Sequence, residues 1–326
     1  MRHAPRKPGC TFPMRTVHPV AACMKITALL WFSLSLAACA ARPPAEQPAV
    51  IHELAHSGGS VVAFSRSGSL LASGGWEGTV RLWQMPGGEQ VRRWQAHHGT
   101  VNGIAFIAAD RQIVTAGYDG VLTKWKTGGG LMMQVDTLPP ITHMEADADG
   151  DRLVTGHADG SVRLWRLSDF ALLREQALHG GSVKAVAIDP GSRRYSSAGK
   201  EGDVYVWTDA GEARALQAPP MDAWTLAFEP GGGHLLGGSW FRLYRWDLGT
   251  GSLTILPTEH RGIIRSIEYL PGVYFLDPET GAVLRRFQKH ELCGADVTVS
   301  AGGHYLATTS DDASVRIWLL DAVNKE

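Results

Sequence analysis

A tryptophan that returns at a near-constant interval constrains this chain more than any other feature. Trp83, Trp125, Trp165, Trp207, Trp246 and Trp318 occupy matching positions, with Leu276 standing in between the last two, and the successive intervals are 42, 40, 42, 39, 30 and 42 residues. Ahead of most of them runs one pattern: a small hydroxyl residue, four positions later an acid followed by a small residue, and the tryptophan six positions after the acid. It reads Ser73, Glu77-Gly78, Trp83; Thr115, Asp119-Gly120, Trp125; Thr155, Asp159-Gly160, Trp165; Ser197, Glu201-Gly202, Trp207; and Thr308, Asp312-Ala313, Trp318. The copy ending in Trp246-Asp247 has Trp240 where the acid belongs, and the next keeps only Leu276-Asp277. Seven copies result, and a repeat of about 40 residues indicates a stacked or radial architecture.

Each copy holds four short apolar alternations separated by turns, as in Val101 to Phe106, Gln112 to Ala116, Val121 to Trp125 and Met132 to Val135. The acid-glycine pair suits a tight hairpin, because glycine tolerates positive φ and the acid accepts hydrogen bonds from the turn backbone. Eleven tryptophans and 38 glycines in 326 residues fit many such hairpins, each with a large ring at a fixed place. One four-stranded unit cannot bury both faces alone, so the units stack radially and close into a ring, the tryptophans wedged between neighbours. The expectation is an all-β protein, a seven-bladed β-propeller with four-stranded antiparallel blades and a shortened sixth blade.

Over nearly all of Val50 to Asp321 these motifs resemble the WD-repeat (WD40) family. The resemblance implies a structural tetrad in each blade: a histidine ahead of the first strand, a hydroxyl on the second, the turn acid and the tryptophan. The second copy has all four as His97, Thr115, Asp119 and Trp125. The fourth has His179, Ser197 and Trp207 with the longer acid Glu201, and the first is similar, with His56 one residue out of register. These histidines read as framework. The last copy ends at Trp318 to Leu320 without an outer strand, and Ile51 to Ala55, ahead of the first full copy, can supply it, so that the segment near the N-terminus closes the last blade and removes two sheet edges. The sixth copy, His260 to Lys289, is about ten residues short, roughly one strand and a turn. A six-bladed ring is the structural alternative.

The first forty residues differ in character. They contain no Asp or Glu, five basic residues (Arg2, Arg6, Lys7, Arg15, Lys25) and an apolar run from Ile26 to Ala38. That run is too short to span a bilayer, and with its positive flank it reads as a secretory signal. Its end, Leu36-Ala37-Ala38-Cys39, resembles the bacterial lipobox, which implies lipid attachment at Cys39. The expected organisation is a signal peptide over 1–38, a lipidated cysteine with a Pro-rich tether over 39–49, and the propeller over 50–326; Met24-Lys25 alone makes an ordinary start, so residues 1–23 stand as an over-extended beginning, with Met14 the other candidate. Ala40 is not the retention Asp familiar from enteric bacteria, so the outer membrane, facing the periplasm, is the expected location. Cleavage before Cys39 leaves only Cys293 as a free thiol, expected to be a buried apolar filler, and no internal disulfide. Removing a leader of five bases and no acid from a chain with 31 Lys+Arg and 32 Asp+Glu leaves an acidic body, which argues against nucleic acid.

No catalytic motif is present: neither a G-x-S-x-G elbow, an H-E-x-x-H helix, a C-x-x-C-H haem site nor a phosphate-binding glycine loop. His97-His98 point to opposite faces of a strand, and Asp147, Asp149 and Asp151 lack a calcium loop's bidentate glutamate, so neither makes a metal site. No cofactor is expected, and the chain reads as a binding platform, monomeric as a fold, with an unidentified protein or peptide partner and a membrane contact through its lipid. The alternatives are an enzyme of the quinone-dependent dehydrogenase type, for which no acid and calcium constellation is apparent, and an accessory role in outer-membrane protein assembly. The family resemblance implies partner binding on the face built from the starts of the first strands and the turns between second and third strands. Trp76, Tyr118, Trp224 and Trp240 with Lys184, Lys200 and Arg265 would lie on that rim. Two readings of those rings stand: an interface hot spot, or aromatics laid on their own loops.

Overall fold

The computed structural model describes residues 45–147, 151–189, 193–258, 263–268 and 284–320. The signal segment, Cys39 and Leu276-Asp277 lie outside the described residues. Among the described residues strand follows strand, and six four-stranded antiparallel sheets form, each from consecutive stretches of chain except the last. The second copy is typical: Val101–Ile107, Gln112–Gly117, Val121–Lys126 and Leu131–Asp136 pair in order. The first strands of the sheets, Gly59–Phe64, Val101–Ile107, Ile141–Ala146, Val183–Asp189 and Thr225–Phe228, lie side by side in sequence order, and Gly294–Val299 of the last sheet lies beside Gly59–Phe64. The arrangement is that of a β-propeller.

The blade count differs from the sequence expectation: six four-stranded sheets form among the described residues, not seven. The sixth copy, about ten residues short, contributes no four-stranded sheet among the described residues. Its Ile263 to Glu268 stretch instead runs between the fifth blade and the last, where Ile263 bridges Trp240, the Ile264 N–H donates to the Ser239 carbonyl at 3.0 Å, and the Val299 N–H donates to the Glu268 carboxylate at 2.9 Å. Its far end, Arg286–Phe287, pairs in parallel with Ala45–Glu46 from just ahead of the first blade. Arg285 donates two hydrogen bonds to the Glu46 carboxylate, at 2.8 and 2.7 Å.

The last blade is assembled from both ends of the described chain. Val50–His52 pairs antiparallel with Val315–Leu319, in the register Val50 to Ile317 and His52 to Val315, outside strands Tyr305–Ser310 and Gly294–Val299. Two edges that would otherwise template aggregation are thereby paired.

Apolar clusters fill the seams between blades. Trp165 packs with Val114, Ala116 and Leu122 of the preceding blade, Trp207 with Val154, Val162 and Leu164, and Trp83 with Ala307, Val315 and Ile317 of the last blade. Truncating one such ring to alanine costs about 3–5 kcal/mol, since the wedge and its contacts are lost together. The hairpin after the second strand takes positive φ at the residue following the acid: +78° at Gly78 and +70° at Ala313. At Gly78 a Cβ would lie 2.0 Å from the His97 carbonyl, so glycine is required there on two grounds. Cys293 is exposed, not buried as the sequence suggests; it precedes strand Gly294–Val299, and its carbonyl accepts the Ser310 hydroxyl at 2.9 Å.

Candidate functional site: tetrads, channel and rim

In the second blade the four tetrad groups meet. The Trp125 indole N–H donates to Thr115 Oγ1 at 3.1 Å, Thr115 Oγ1 and His97 Nε2 lie 2.8 Å apart, and His97 Nδ1 lies 3.1 Å from Asp119. One donor order satisfies the chain: the indole donates to the hydroxyl, the hydroxyl to Nε2, and Nδ1–H to the carboxylate, which leaves the imidazole neutral in a fixed tautomer. Burial lowers the His97 pKa, in keeping with a neutral ring. The first blade repeats the circuit with glutamate: Trp83 to Ser73 at 2.9 Å, Ser73 and His56 at 2.8 Å, His56 and Glu77 at 2.8 Å. Burial alone would raise the Glu77 carboxyl, but hydrogen bonds from Thr79, His56 and Ser57 outweigh it and hold the pKa at about 2.

The other blades vary the theme. In the third, Trp165 donates to Thr155 at 2.9 Å, but the imidazole on Thr155 is His157 of the same strand, at 2.8 Å, which bonds onward to the Pro139 carbonyl at 3.0 Å. Sequence reading missed it because it sought a histidine ahead of the blade; the signal was a histidine two residues after the hydroxyl. In the fourth, His179 reaches Ser197 at 2.8 Å, yet Trp207 Nε1 and His179 Nδ1 are buried without hydrogen-bond partners, so Glu201 does not complete that tetrad. The fifth blade has no hydroxyl at the matching position, and Trp246 donates to the Gln217 carbonyl at 2.8 Å. In the last blade His290, also missed from sequence, joins Thr308 at 2.6 Å and Asp312 at 3.1 Å, while Trp318 donates to the Glu46 carbonyl at 3.2 Å.

The first strands surround a central cavity of about 450 Å³, also lined by Arg265 to Glu268. Ser60, Asn102, Thr142 and Ala295 line it together with Trp224 and Arg265, two of the residues that the sequence put on the rim. So do three acids that sequence reading did not place there: Glu145, Glu268 and Asp296. Their job in this structure is to bind the next strand along. Asp296 accepts the Val62 N–H at 3.0 Å, Glu268 accepts the Val299 N–H at 2.9 Å, and Glu145 bonds the Ile188 backbone. Burial pushes Glu145 up to about 8 and raises Asp296; Glu268, an exposed residue lining the channel, is pushed up to about 8 by lost solvation and by the neighbouring Asp296. His143, on the same wall, is lowered by burial to about 4. Among the described residues no three His, Cys, Asp or Glu converge as a metal site.

The seven rim residues divide into two groups. Trp76 and Tyr118 are half exposed, at 48% and 53%, on the turns of the first and second blades, and each leans on its own loop, Trp76 over Gly58 and Tyr118 beside Gly99. Trp240 is 37% exposed and meets the exposed Phe241 ring at 5.7 Å. A tighter group forms from consecutive positions around the ring: Lys184 Nζ lies 4.2 Å from the Trp224 ring centroid, and the adjacent Arg265 reaches Asp311 only at 4.0 Å. Burial lowers the Lys184 pKa, Asp222 opposes that, and repulsion from Lys200 and Arg265 adds to it, so these cations are close neighbours.

Comparison with known proteins agrees with this geometry. The model of the WD domain, G-beta repeat family matches residues 49–84, 88–126, 134–166 and 281–318. Similar proteins include the cilia- and flagella-associated protein 52 of Chlamydomonas reinhardtii, 28% identical over 145 residues (43% of this chain, 23% of that protein). Human striatin-4 is 22% identical over 282 residues, 70% of this chain and 36% of that protein. The small ribosomal subunit protein RACK1y of rice is 31% identical over 121 residues, 34% of this chain and 35% of that protein. The chain therefore spans only about a quarter to about a third of the length of these curated relatives. With WD40 repeats recognised by the family model in four places and full tetrads closed in the first two of the blades they form, the chain carries WD40 repeats.

Proposed function

We propose that this propeller is a membrane-anchored interaction scaffold of the bacterial envelope, holding a protein or peptide over the mouth of its central channel. The observation that carries the reading is the rim: Trp76 and Tyr118 stay exposed on turns whose acids, Glu77 and Asp119, close tetrads, and Trp240 and Phe241 stay exposed on the turn of the fifth blade. Large rings on a rigid frame lose little entropy when covered, which is what a binding hot spot needs. The channel acids are occupied in joining strands, which supports a binding role over chemistry inside the ring. The lipobox-like run ending at Cys39 supports the anchor, and Ala40 supports the outer membrane as its location.

Crosslinking in membranes followed by pull-down, with the native chain and a Trp76→Ala, Trp224→Ala, Trp240→Ala variant, tests the rim; recovery of the same proteins with both would remove it as the binding surface. Incorporation of a palmitate analogue that disappears in Cys39→Ala tests the anchor.

A further inference from the structure

The rim is not uniform, and its most specific corner lies between the fourth blade and the shortened copy. Lys184 is the second residue of the first strand of the fourth blade, Val183–Asp189, Lys200 sits on the next turn of that blade, Trp224 precedes the first strand of the fifth, and Arg265 comes from the short stretch that follows. The Trp224 backbone N–H donates to the Gly238 carbonyl at 2.7 Å, and the indole ring lies under the Lys184 ammonium. Among the described residues, the acids that act on these cations are Asp311 and Asp222. Asp311 stands 4.0 Å from Arg265, Arg265 Nε and Trp224 Nε1 are buried donors without acceptors, and Lys200 is exposed. Three cations and an indole face thus border one side of the channel mouth, with Asp222 the other acid close to Lys184.

We propose that this corner receives an acidic peptide segment of the partner protein, one carboxylate resting among Lys184, Lys200 and Arg265 while neighbouring apolar atoms lie on Trp224. The proposal rests on the scaffold reading and narrows the chemistry of its partner. Charge complementarity selects an anion at the mouth. The wall below sets a limit on that anion: Glu145, Glu268 and Asp296 line the same cavity, and any of them that ionises repels a multiply charged group entering the throat. A single carboxylate held at the lip avoids them, and the peptide's remaining contacts fall on the aromatic surface.

The test is fluorescence anisotropy on the full chain with a fluorescein-labelled peptide of alternating glutamate and phenylalanine, compared with the same peptide carrying glutamine for glutamate. The acidic peptide is expected to bind about tenfold or more tightly than its amide twin, with an advantage that shrinks as salt rises. A Lys184→Gln, Lys200→Gln variant, changed at surface positions and checked for an unaltered unfolding midpoint, should abolish that advantage. Equal affinity for the two peptides, or an unchanged preference in the lysine variant, overturns the proposal. Complete displacement by inorganic phosphate at concentrations where acetate leaves the peptide bound also overturns it, in favour of a phosphate site. The scaffold reading fails separately: if membrane crosslinks survive in the Trp76, Trp224, Trp240 variant the rim is not the interface, whereas lost crosslinks with no glutamate preference leave the scaffold standing without its acidic partner.

Discussion

Asp296 accepts the backbone N–H of Val62 at 3.0 Å, joining two inner strands whose residues are 234 positions apart in sequence. The same device recurs where Glu268 meets Val299 and Glu145 meets Ile188. Inner strands of a propeller have one edge without a ladder partner, and side chains from the neighbouring blade satisfy part of it.

Those acids give the fold a pH dependence on the alkaline side. A carboxyl raised from 4.5 to about 8 contributes stability that is complete below the unfolded value and is lost as pH rises through about 8, which applies to Glu145 and Glu268. On the acid side the signs reverse: His143, lowered from 6.5 to about 4, and Glu77 and Asp312, each held at about 2, stabilise above their unfolded values and lose that contribution as pH falls. The thermal unfolding midpoint should therefore fall between about pH 6.5 and pH 8, where the histidine's contribution is complete and the two carboxyls are still losing theirs, and Glu145→Gln should reduce that fall. A midpoint that is flat between those values would refute the assignment.

The tetrads differ in what one hydroxyl holds. Thr115→Ala orphans both the His97 imidazole and the Trp125 indole, so it should destabilise the protein by about 1–3 kcal/mol. Ser197→Ala removes only the His179 bond, because Trp207 does not use that hydroxyl, and should cost less. Urea unfolding of the two variants gives the comparison directly.

Gly78 combines φ of +78° with a Cβ position 2.0 Å from the His97 carbonyl. Gly78→Ala should lower stability by about 1–3 kcal/mol and loosen the link between the first and second blades, seen as faster amide exchange at Ala96 and His97, whose N–H groups both donate to the Gly78 carbonyl. Unchanged exchange at those two amides would contradict this.

The segment from Ala45 to His52 supplies a strand to the last blade, a carbonyl to Trp318 and a carboxylate to Arg285. Removing residues up to His52 should make Val315–Leu319 the first site of proteolysis, whereas Arg285→Ala, which breaks only the ion pair, should have a smaller effect. Limited digestion followed by mass spectrometry distinguishes these results.

The repeat was legible because Trp83, Trp125 and Trp165 each stand ten residues after the hydroxyl their indole bonds, a spacing fixed by the second and third strands. Closure of the last blade was legible too, since a copy lacking its outer strand and an unassigned apolar segment call for one another. Part of what escaped reading had partners with no side-chain signature: Trp246 on the Gln217 carbonyl, Trp318 on the Glu46 carbonyl, and the channel acids on backbone N–H groups. The expected seventh sheet is not found among the described residues: spacing counts positions while a sheet needs residues, and the sixth copy is about ten short. Of the rim, sequence placed the strand-start residues around one channel, but it could not show that Lys184 and Trp224 stack while Trp76 and Tyr118 each keep to a separate loop.

The pairing of Val50–His52 with Val315–Leu319 also dictates the order of events during biosynthesis. The strand made earliest must wait for the one made last, so no nascent chain can complete its ring, and every partly synthesised molecule carries open strand edges. Folding that depends on such distant contacts is slow, and a chain of this kind is exposed to aggregation for the whole interval. Its maturation therefore favours a holding chaperone acting until Leu319 has emerged, a demand that a propeller closed within one hairpin would not impose.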